Sequence, residues 1–156
     1  MDRQKEVGFS LIELLIVVTI IGIIASIAIP NLLASRRAAN EGSAQQSIRT
    51  ISSCETAYQY TYGNGEFTDL PGLGTKTLTD SVLAGGTKSG YIFVVNPVPG
   101  TPPQFWAYGI PTISSGVGQT GTRRFCITED AVLRADMTLT APADETAVKS
   151  IPPMGN

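Results

Sequence analysis

Glu13 is the only charged side chain within an apolar run that extends from Phe9 to Ile29. A helix of that length, rising ~1.5 Å per residue, would cover the ~30 Å hydrocarbon core of a bilayer. A carboxylate inside such a segment is costly unless it meets a cation, and intramembrane ionisable residues usually have a function. We therefore expect Glu13 to form an ion pair that specifies geometry more than it adds stability.

Residue patterns typical of enzymes are missing from the 156-residue sequence. It contains no histidine, which removes the commonest general base and the commonest metal ligand together. The segment Gly85–Ser89 has glycines and a lysine but not the Gly-Lys-Ser/Thr order of a phosphate loop, and there is no G-x-S-x-G. We predict that the protein is not an enzyme and needs no cofactor.

The charge balance also argues against a nucleic-acid partner. The formal net charge is −2 and charged residues make up 15% of the chain, so a clustered basic face is not expected. Adjacent arginines occur twice. We interpret Arg36–Arg37 as a membrane boundary and Arg123–Arg124 as a solvated strand edge.

One long helix is predicted to position Glu13 and to continue into an exported head. Residues 9–30 form its membrane half, and residues 31–62 form an amphipathic half that ends before Gly63-Asn64-Gly65. Apolar residues recur on one face of the second half: Ala44, Ile48, Ile51, Cys54, Tyr58 and Tyr62. The polar residues between them, including Glu41 and Glu55, are expected to face water.

A head over residues 63–140 follows, with a short helix at 78–84 and strand patterns at 91–95, 104–108, 122–128 and 132–135. Short turns between strands predict an antiparallel sheet against the helix, which is an α+β fold. The tail at 141–156 contains three prolines and is expected to be an extended, partly mobile cover.

The first eight residues suggest an unusual export signal. A conventional signal peptide places its small-residue cleavage site after the apolar core, whereas Gly8 lies before it. The sequence Gly8-Phe9-Ser10-Leu11-Ile12-Glu13, followed by further apolar residues, resembles the class III signal of type IV pilins and type II secretion pseudopilins. Cleavage after Gly8 would remove the leader 1–8 and keep the apolar helix.

This resemblance implies a processing and assembly pathway. A prepilin peptidase would cut after Gly8 and methylate Phe9, and the new amine would meet Glu13 of its own or a neighbouring subunit. Gly22 and Pro30 would soften the helix for assembly, although a continuous, mildly kinked helix is expected in the isolated subunit. The partners would be further copies, minor pilins, an assembly platform and its ATPase.

The resemblance also implies a location and a choice of filament. The chain would cross the inner membrane once, with its head outside the cytoplasm, and then join an extracellular pilus or a periplasmic pseudopilus. We favour the surface pilus over the secretion pseudopilus. A single-span anchored domain that never polymerises is a further alternative.

Two predictions depend on the exported compartment. Because it is oxidising, Cys54 and Cys126 are expected to form a disulfide, with two buried thiols as the alternative.

Related pseudopilins bind calcium near their carboxyl end, and this chain has acidic residues there: Asp130, Asp136, Asp144 and Glu145. No spaced ligand loop is evident, so these carboxylates are instead expected to be solvated turn residues.

Overall fold

A computed structural model describes residues 9–155 of the chain, in two compact units that divide between Ser35 and Arg36. Four helices are present in this range: α1 (Leu11–Thr61), α2 (Leu70–Thr75), α3 (Ser81–Ala84) and α4 (Glu145–Lys149). Five strands accompany them: β1 (Thr87–Lys88), β2 (Tyr91–Val98), β3 (Gln104–Pro111), β4 (Arg124–Thr128) and β5 (Arg134–Asp136). The strands pair antiparallel in sequence order, which confirms the α+β fold class.

The second half of α1 supplies one wall of the main core. Ala44, Ile48 and Ile51 are fully buried, and they recur at helical spacing as predicted. The strands contribute alternate residues to the same core, because successive side chains of a strand point to opposite faces. These strand residues are Tyr91, Phe93, Val95, Phe105, Ala107, Phe125 and Ile127.

A glycine on β3 leaves room for an aromatic ring of the neighbouring strand at the centre of this core. Gly109 on β3 pairs with Phe93 on β2. A methyl group at residue 109 would lie 2.8 Å from Cε1 of the Phe93 ring and 3.7 Å from Cδ1 of Ile48. The position therefore has room for the neighbouring ring only because glycine lacks a Cβ.

The short helices all begin with an aspartate. Asp80 caps α3 by accepting hydrogen bonds from the backbone nitrogens of Val82 and Leu83, as the sequence suggested, although that helix is shorter than predicted. Asp69 caps α2 and Asp144 caps α4 in the same way. The sequence does not predict α2 and α4, because helices of five or six residues show too little periodicity to be recognised.

The carboxyl-terminal tail differs from its predicted form. Instead of a wholly extended cover, it contains α4, whose Val148 packs with Ile151 and Cys126 on the face of the sheet opposite to α1. Trp106 and Tyr108 border this second core, with stacked rings 5.6 Å apart. Packing of apolar tail residues on an otherwise bare sheet face explains why the tail folds.

The predicted disulfide between Cys54 and Cys126 is not formed, and both cysteines are buried free thiols in the described chain. Cys54 belongs to the core between α1 and the sheet, whereas Cys126 belongs to the core under α4. Strand alternation is the reason. Phe125 and Ile127 take the α1 side of β4, so Cys126 must point to the other side.

Several residues assigned to solvent are buried instead. Glu41 is 6% exposed and Glu55 is fully buried, although both lie between the apolar positions of α1. Arg124 is also buried, where its guanidinium donates to both carboxylate oxygens of Asp136 at 2.7 Å. The predictions were wrong because loops and strand ends fold over these positions and supply specific polar partners.

Candidate processing and assembly site

Helix α1 begins with a local cap that involves Glu13. Ser10 precedes the first helical residue, and its backbone nitrogen donates to Oε2 of Glu13 at 2.9 Å. The backbone nitrogen of Leu14 donates to the Ser10 carbonyl at 3.3 Å. Ser-x-x-Glu is the spacing of a capping box, in which the glutamate three residues into the helix reaches back to the N-cap nitrogen. The Ser10-x-x-Glu13 spacing is therefore a signal in the sequence for the beginning of α1.

The cap places the Glu13 carboxylate at the amino-terminal end of α1, where both it and Phe9 are exposed. A negative group in the first turn is stabilised by the helix macrodipole and by free backbone donors. The same position lies about one turn from the nitrogen of Phe9. If cleavage converted that nitrogen to an amine, the carboxylate would be within reach of a positive charge.

The cleavage position itself, Gly8, lies outside the described residues. Its processing and the methylation of Phe9 therefore stay predictions. Phe9 is the first described residue, and its side chain is 89% exposed.

The membrane half of α1 satisfies its own polar groups. The hydroxyl of Thr19 donates to the Leu15 carbonyl at 2.7 Å, and the hydroxyl of Ser26 donates to the Ile23 carbonyl at 2.7 Å. The side-chain amide of Asn31, the first residue after this half, donates to the Ile27 carbonyl at 3.1 Å. Such bonds within a helix are what an apolar solvent requires, since it offers no hydrogen-bond partners.

Gly22 and Pro30 do not interrupt α1, which is helical through both positions. This agrees with the continuous helix expected for an isolated subunit. Proline removes one backbone donor, so the carbonyl four residues earlier loses its helical partner. A methyl group at residue 22 would meet no atom within 4 Å. That both residues weaken the helix during assembly stays a prediction.

The apolar surface of this segment has no partner in the described chain. By length and composition, α1 contains a stretch able to cross a membrane, and none of that stretch is buried. Its large side chains between Leu11 and Leu32 are about half exposed or more. An exposed apolar surface of this extent marks a contact with lipid or with another protein.

In the head, Glu41 of α1 holds the chain that leads into β4. Its Oε1 accepts from the backbone nitrogen of Thr122 at 2.7 Å and from the Thr122 hydroxyl at 2.6 Å. Its Oε2 accepts two bonds from the Arg123 guanidinium, at 3.0 and 2.9 Å. Burial opposes ionisation, but the bonds from Thr122 and Arg123 outweigh it and lower the pKa of Glu41.

The acidic residues considered for calcium are engaged with protein groups. Asp130 binds the Arg134 guanidinium. Burial opposes ionisation of Asp130, but the Arg134 guanidinium and hydrogen bonds outweigh this effect and lower the pKa of Asp130 to about 2. Asp136 pairs with Arg124, Asp144 caps α4, and Glu145 pairs with Lys149. Within residues 9–155, no three histidine, cysteine or acidic side chains converge as metal ligands.

Comparisons with known proteins find one family motif and several relatives, each matching part of the chain. Residues 3–29 match the family profile of the prokaryotic N-terminal methylation motif. The chain is 65% identical over 34 residues to the type IV wide pilus major component PilA4 of Thermus thermophilus, which is 22% of this chain and 26% of that protein. No solved structure matches the chain significantly.

Type II secretion system core protein G is also similar. The Vibrio cholerae protein is 39% identical over 54 residues, covering 35% of each chain, and the Escherichia coli protein is 28% identical over 96 residues, covering 58% of this chain and 63% of its own. The match thus spans less than two thirds of each of these relatives. Together, the methylation motif and these relatives show that part of this chain is similar to a type IV pilus component and to type II secretion core protein G.

Proposed function

We propose that this chain is a structural filament subunit that is cleaved after Gly8, methylated at Phe9 and polymerised into a type IV pilus on the bacterial surface. The observation that carries the proposal is the beginning of α1. The Glu13 carboxylate accepts a hydrogen bond from the Ser10 nitrogen at the beginning of α1, and the apolar segment around it is not buried. This part of the chain matches the methylation motif at residues 3–29. The same helix would anchor the precursor in the membrane and build the polymer.

Assembly would use the charge that cleavage creates. An amine on Phe9 would lie near the Glu13 carboxylate of its own or a neighbouring subunit. In an apolar setting, an unpaired carboxylate costs several kcal/mol, whereas a paired one roughly breaks even. An incoming subunit would therefore be stable only at the axial position that pairs these groups, and Glu13 would set the register.

The subunit would have no catalytic activity of its own. Before assembly it would cross the inner membrane once, with the head outside the cytoplasm. A prepilin peptidase would process it, and an assembly platform with its ATPase would extract it into a filament of further copies and minor pilins. No nucleic-acid partner is proposed.

Mass spectrometry of the mature protein tests the processing step. Filaments sheared from the cell surface should contain this chain with a methylated Phe9 as its first residue. A mature protein that still begins at Met1 would contradict the proposal and support the single-span domain that never polymerises.

Substitutions at Glu13 test the register contact separately from the helix cap. Glu13→Gln keeps an oxygen that can accept from the Ser10 nitrogen but removes the charge, whereas Glu13→Ala removes both. We expect both variants to accumulate in the membrane and to yield few filaments in shear fractions. Thr19→Ala, which removes a polar group from the same segment, should assemble normally. Normal assembly of Glu13→Gln would contradict the charge-pairing role.

A second candidate is the pseudopilin of a type II secretion system. The match with core protein G of the Escherichia coli system extends over 96 residues, against 34 residues for the pilus component. Imaging of sheared fractions separates the two candidates, since a pseudopilin would leave no surface filaments. Deletion of the gene would then abolish secretion of exported proteins instead of surface piliation.

A further inference from the structure

We propose that one end of the head docks on an anionic lipid surface while the chain is anchored in the membrane. The patch consists of two arginines on α1 and three apolar residues on nearby loops: Arg36, Arg37, Ile113, Val117 and Met137. This inference rests on the membrane-anchored state proposed above. It adds a second contact with the bilayer, made by the head.

The loop between β3 and β4 presents two of the apolar residues. Val117 is 79% exposed and Ile113 is 47% exposed. The chain turns back on itself after Ile113, with the backbone nitrogen of Thr120 donating to the Ile113 carbonyl at 3.1 Å, so that Val117 lies within the turn. The loop is thus closed by its own hydrogen bonds, and its apolar side chains project from a defined structure.

Two contacts hold this loop against α1 at the start of the head unit. The guanidinium of Arg37 donates to the side chain of Gln119 at 3.3 Å. The side-chain amide of Asn40 donates to the Thr120 carbonyl at 3.0 Å. The exposed apolar residues are therefore fixed beside the part of α1 that carries Arg36 and Arg37.

The sheet register brings the third apolar residue to the same end. Strand β4 begins at Arg124, immediately after the loop, and Arg124 pairs with Asp136 at the end of β5. Met137 follows Asp136 and is 81% exposed. The β3–β4 loop and the segment that follows β5 thus expose apolar side chains at one end of the sheet.

The charge at this end is positive. Glu41 is paired with Arg123, and Asp136 is paired with Arg124, so these acids are each matched by a cation. Arg36 and Arg37 add to these pairs, and Arg36 is exposed. Apolar side chains surrounded by arginine are suited to the boundary between acyl chains and anionic headgroups.

Chain connectivity keeps the patch close to the bilayer whatever angle the head adopts. Arg36 follows Ile29, the last residue of the apolar run, by seven positions. Seven residues span at most about 25 Å when extended and about 10 Å when helical. The arginines and the loop bonded to Arg37 therefore remain within reach of the headgroup region. This continuity favours lipid over a neighbouring subunit as the occupant.

A lipid-borne quencher tests the contact in the full chain. Val117→Cys is labelled with nitrobenzoxadiazole and reconstituted, at low protein-to-lipid ratio, in phosphatidylglycerol vesicles whose headgroups carry a nitroxide. Strong quenching is expected there, and weak quenching is expected in phosphatidylcholine. The matched control is Tyr60→Cys, which is 83% exposed in the native chain and about 35 Å further along α1. The unsubstituted chain gives the background from Cys54 and Cys126.

In the labelled Val117→Cys chain, Arg36→Gln should reduce the ratio of docked heads to undocked heads about fivefold in phosphatidylglycerol vesicles. Little change is expected in phosphatidylcholine vesicles. Equal quenching at positions 117 and 60 would overturn the proposal. Quenching at position 117 that weakens as the protein-to-lipid ratio rises, and that does not depend on lipid charge, would also overturn it. Such a result indicates that a neighbouring subunit covers the patch. Flotation of the same vesicles is measured in parallel. A chain that fails to float contradicts the anchored state itself, and the docking proposal with it.

Discussion

At the scale of single residues, Glu55 is the least expected feature of the head. Its side chain is fully buried, and Oε2 accepts from the backbone nitrogen of Thr68 at 3.1 Å while Oε1 has no partner among the described residues. Burial, helped by the nearby Asp69 carboxylate and opposed by the Thr68 hydrogen bond, raises the pKa of Glu55 to about 7. Ionisation at neutral pH therefore acts against the folded state.

The raised pKa predicts that the free energy of unfolding falls as pH increases. The unfolded chain releases this proton near the ordinary value of 4.5, and the folded chain holds it to about 7. Stability is then lost progressively between pH 4.5 and 7, by an amount on the order of 3 kcal/mol. Glu55→Gln should abolish this decline. Urea unfolding of the full chain in detergent at pH 5 and pH 8 measures both effects.

Other shifted carboxyl groups affect a different pH range. The pKa values of Glu41 and Asp130 are lowered, so their contribution to stability is complete above the ordinary range and is lost only in acid. Glu66→Gln, at an exposed position, serves as the control substitution and should leave the pH 5 to pH 8 difference unchanged. A pH difference that persists in Glu55→Gln would contradict the assignment.

At the scale of elements, α4 converts the second face of the sheet into a core. Its Asp144 cap is local, but a helix of this length is not stable by itself in water. Val148, which is fully buried with Cys126 and Ile151, supplies the tertiary contact. The tail is therefore expected to be part of the folded head.

Val148→Ala should lower the free energy of unfolding by about 2 kcal/mol, because it removes two buried methyl groups and leaves a cavity. Thr146→Ala, on the exposed side of the same helix, should change it by less than about 0.5 kcal/mol. Thermal unfolding of the two variants in parallel measures the difference. Equal effects would mean that α4 does not contribute to the folded head.

At the scale of the whole molecule, the sheet separates two cores, and each contains one cysteine. The thiol of Cys54 donates to the Leu78 carbonyl at 2.8 Å, on the α1 side. Burial raises the pKa of both thiols, that of Cys126 to about 12, so very little thiolate is available for oxidation.

Alkylation of the denatured protein, without reductant, should therefore add two groups per chain. Cys126→Ala should add one, and prior reduction should change neither result. Mass spectrometry of the intact protein measures the number of groups. If the unreduced protein gained no groups, a disulfide would be present and the separation of the two cores would be wrong.

The sequence alone was sufficient for features that depend on local pattern. Apolar length predicts the membrane segment, 3.6-residue spacing predicts the buried stripe of α1, and β-branched runs predict the sheet. The Gly8–Glu13 motif resembles the class III signal of type IV pilins and pseudopilins, and its position before the apolar run predicts that cleavage after Gly8 would leave the helix in the protein. These inferences need only neighbouring residues, so no knowledge of distant contacts was required.

Only the tertiary structure decided which face each isolated polar or sulfur-containing residue takes. Glu41 is buried where a loop 81 positions away supplies Thr122, and Glu55 is buried where the backbone nitrogen of Thr68 donates to its carboxyl group. Cys126 faces away from Cys54 because its strand neighbours occupy the α1 side of the sheet. Such choices follow from partners distant along the chain, which periodicity along a single segment does not encode.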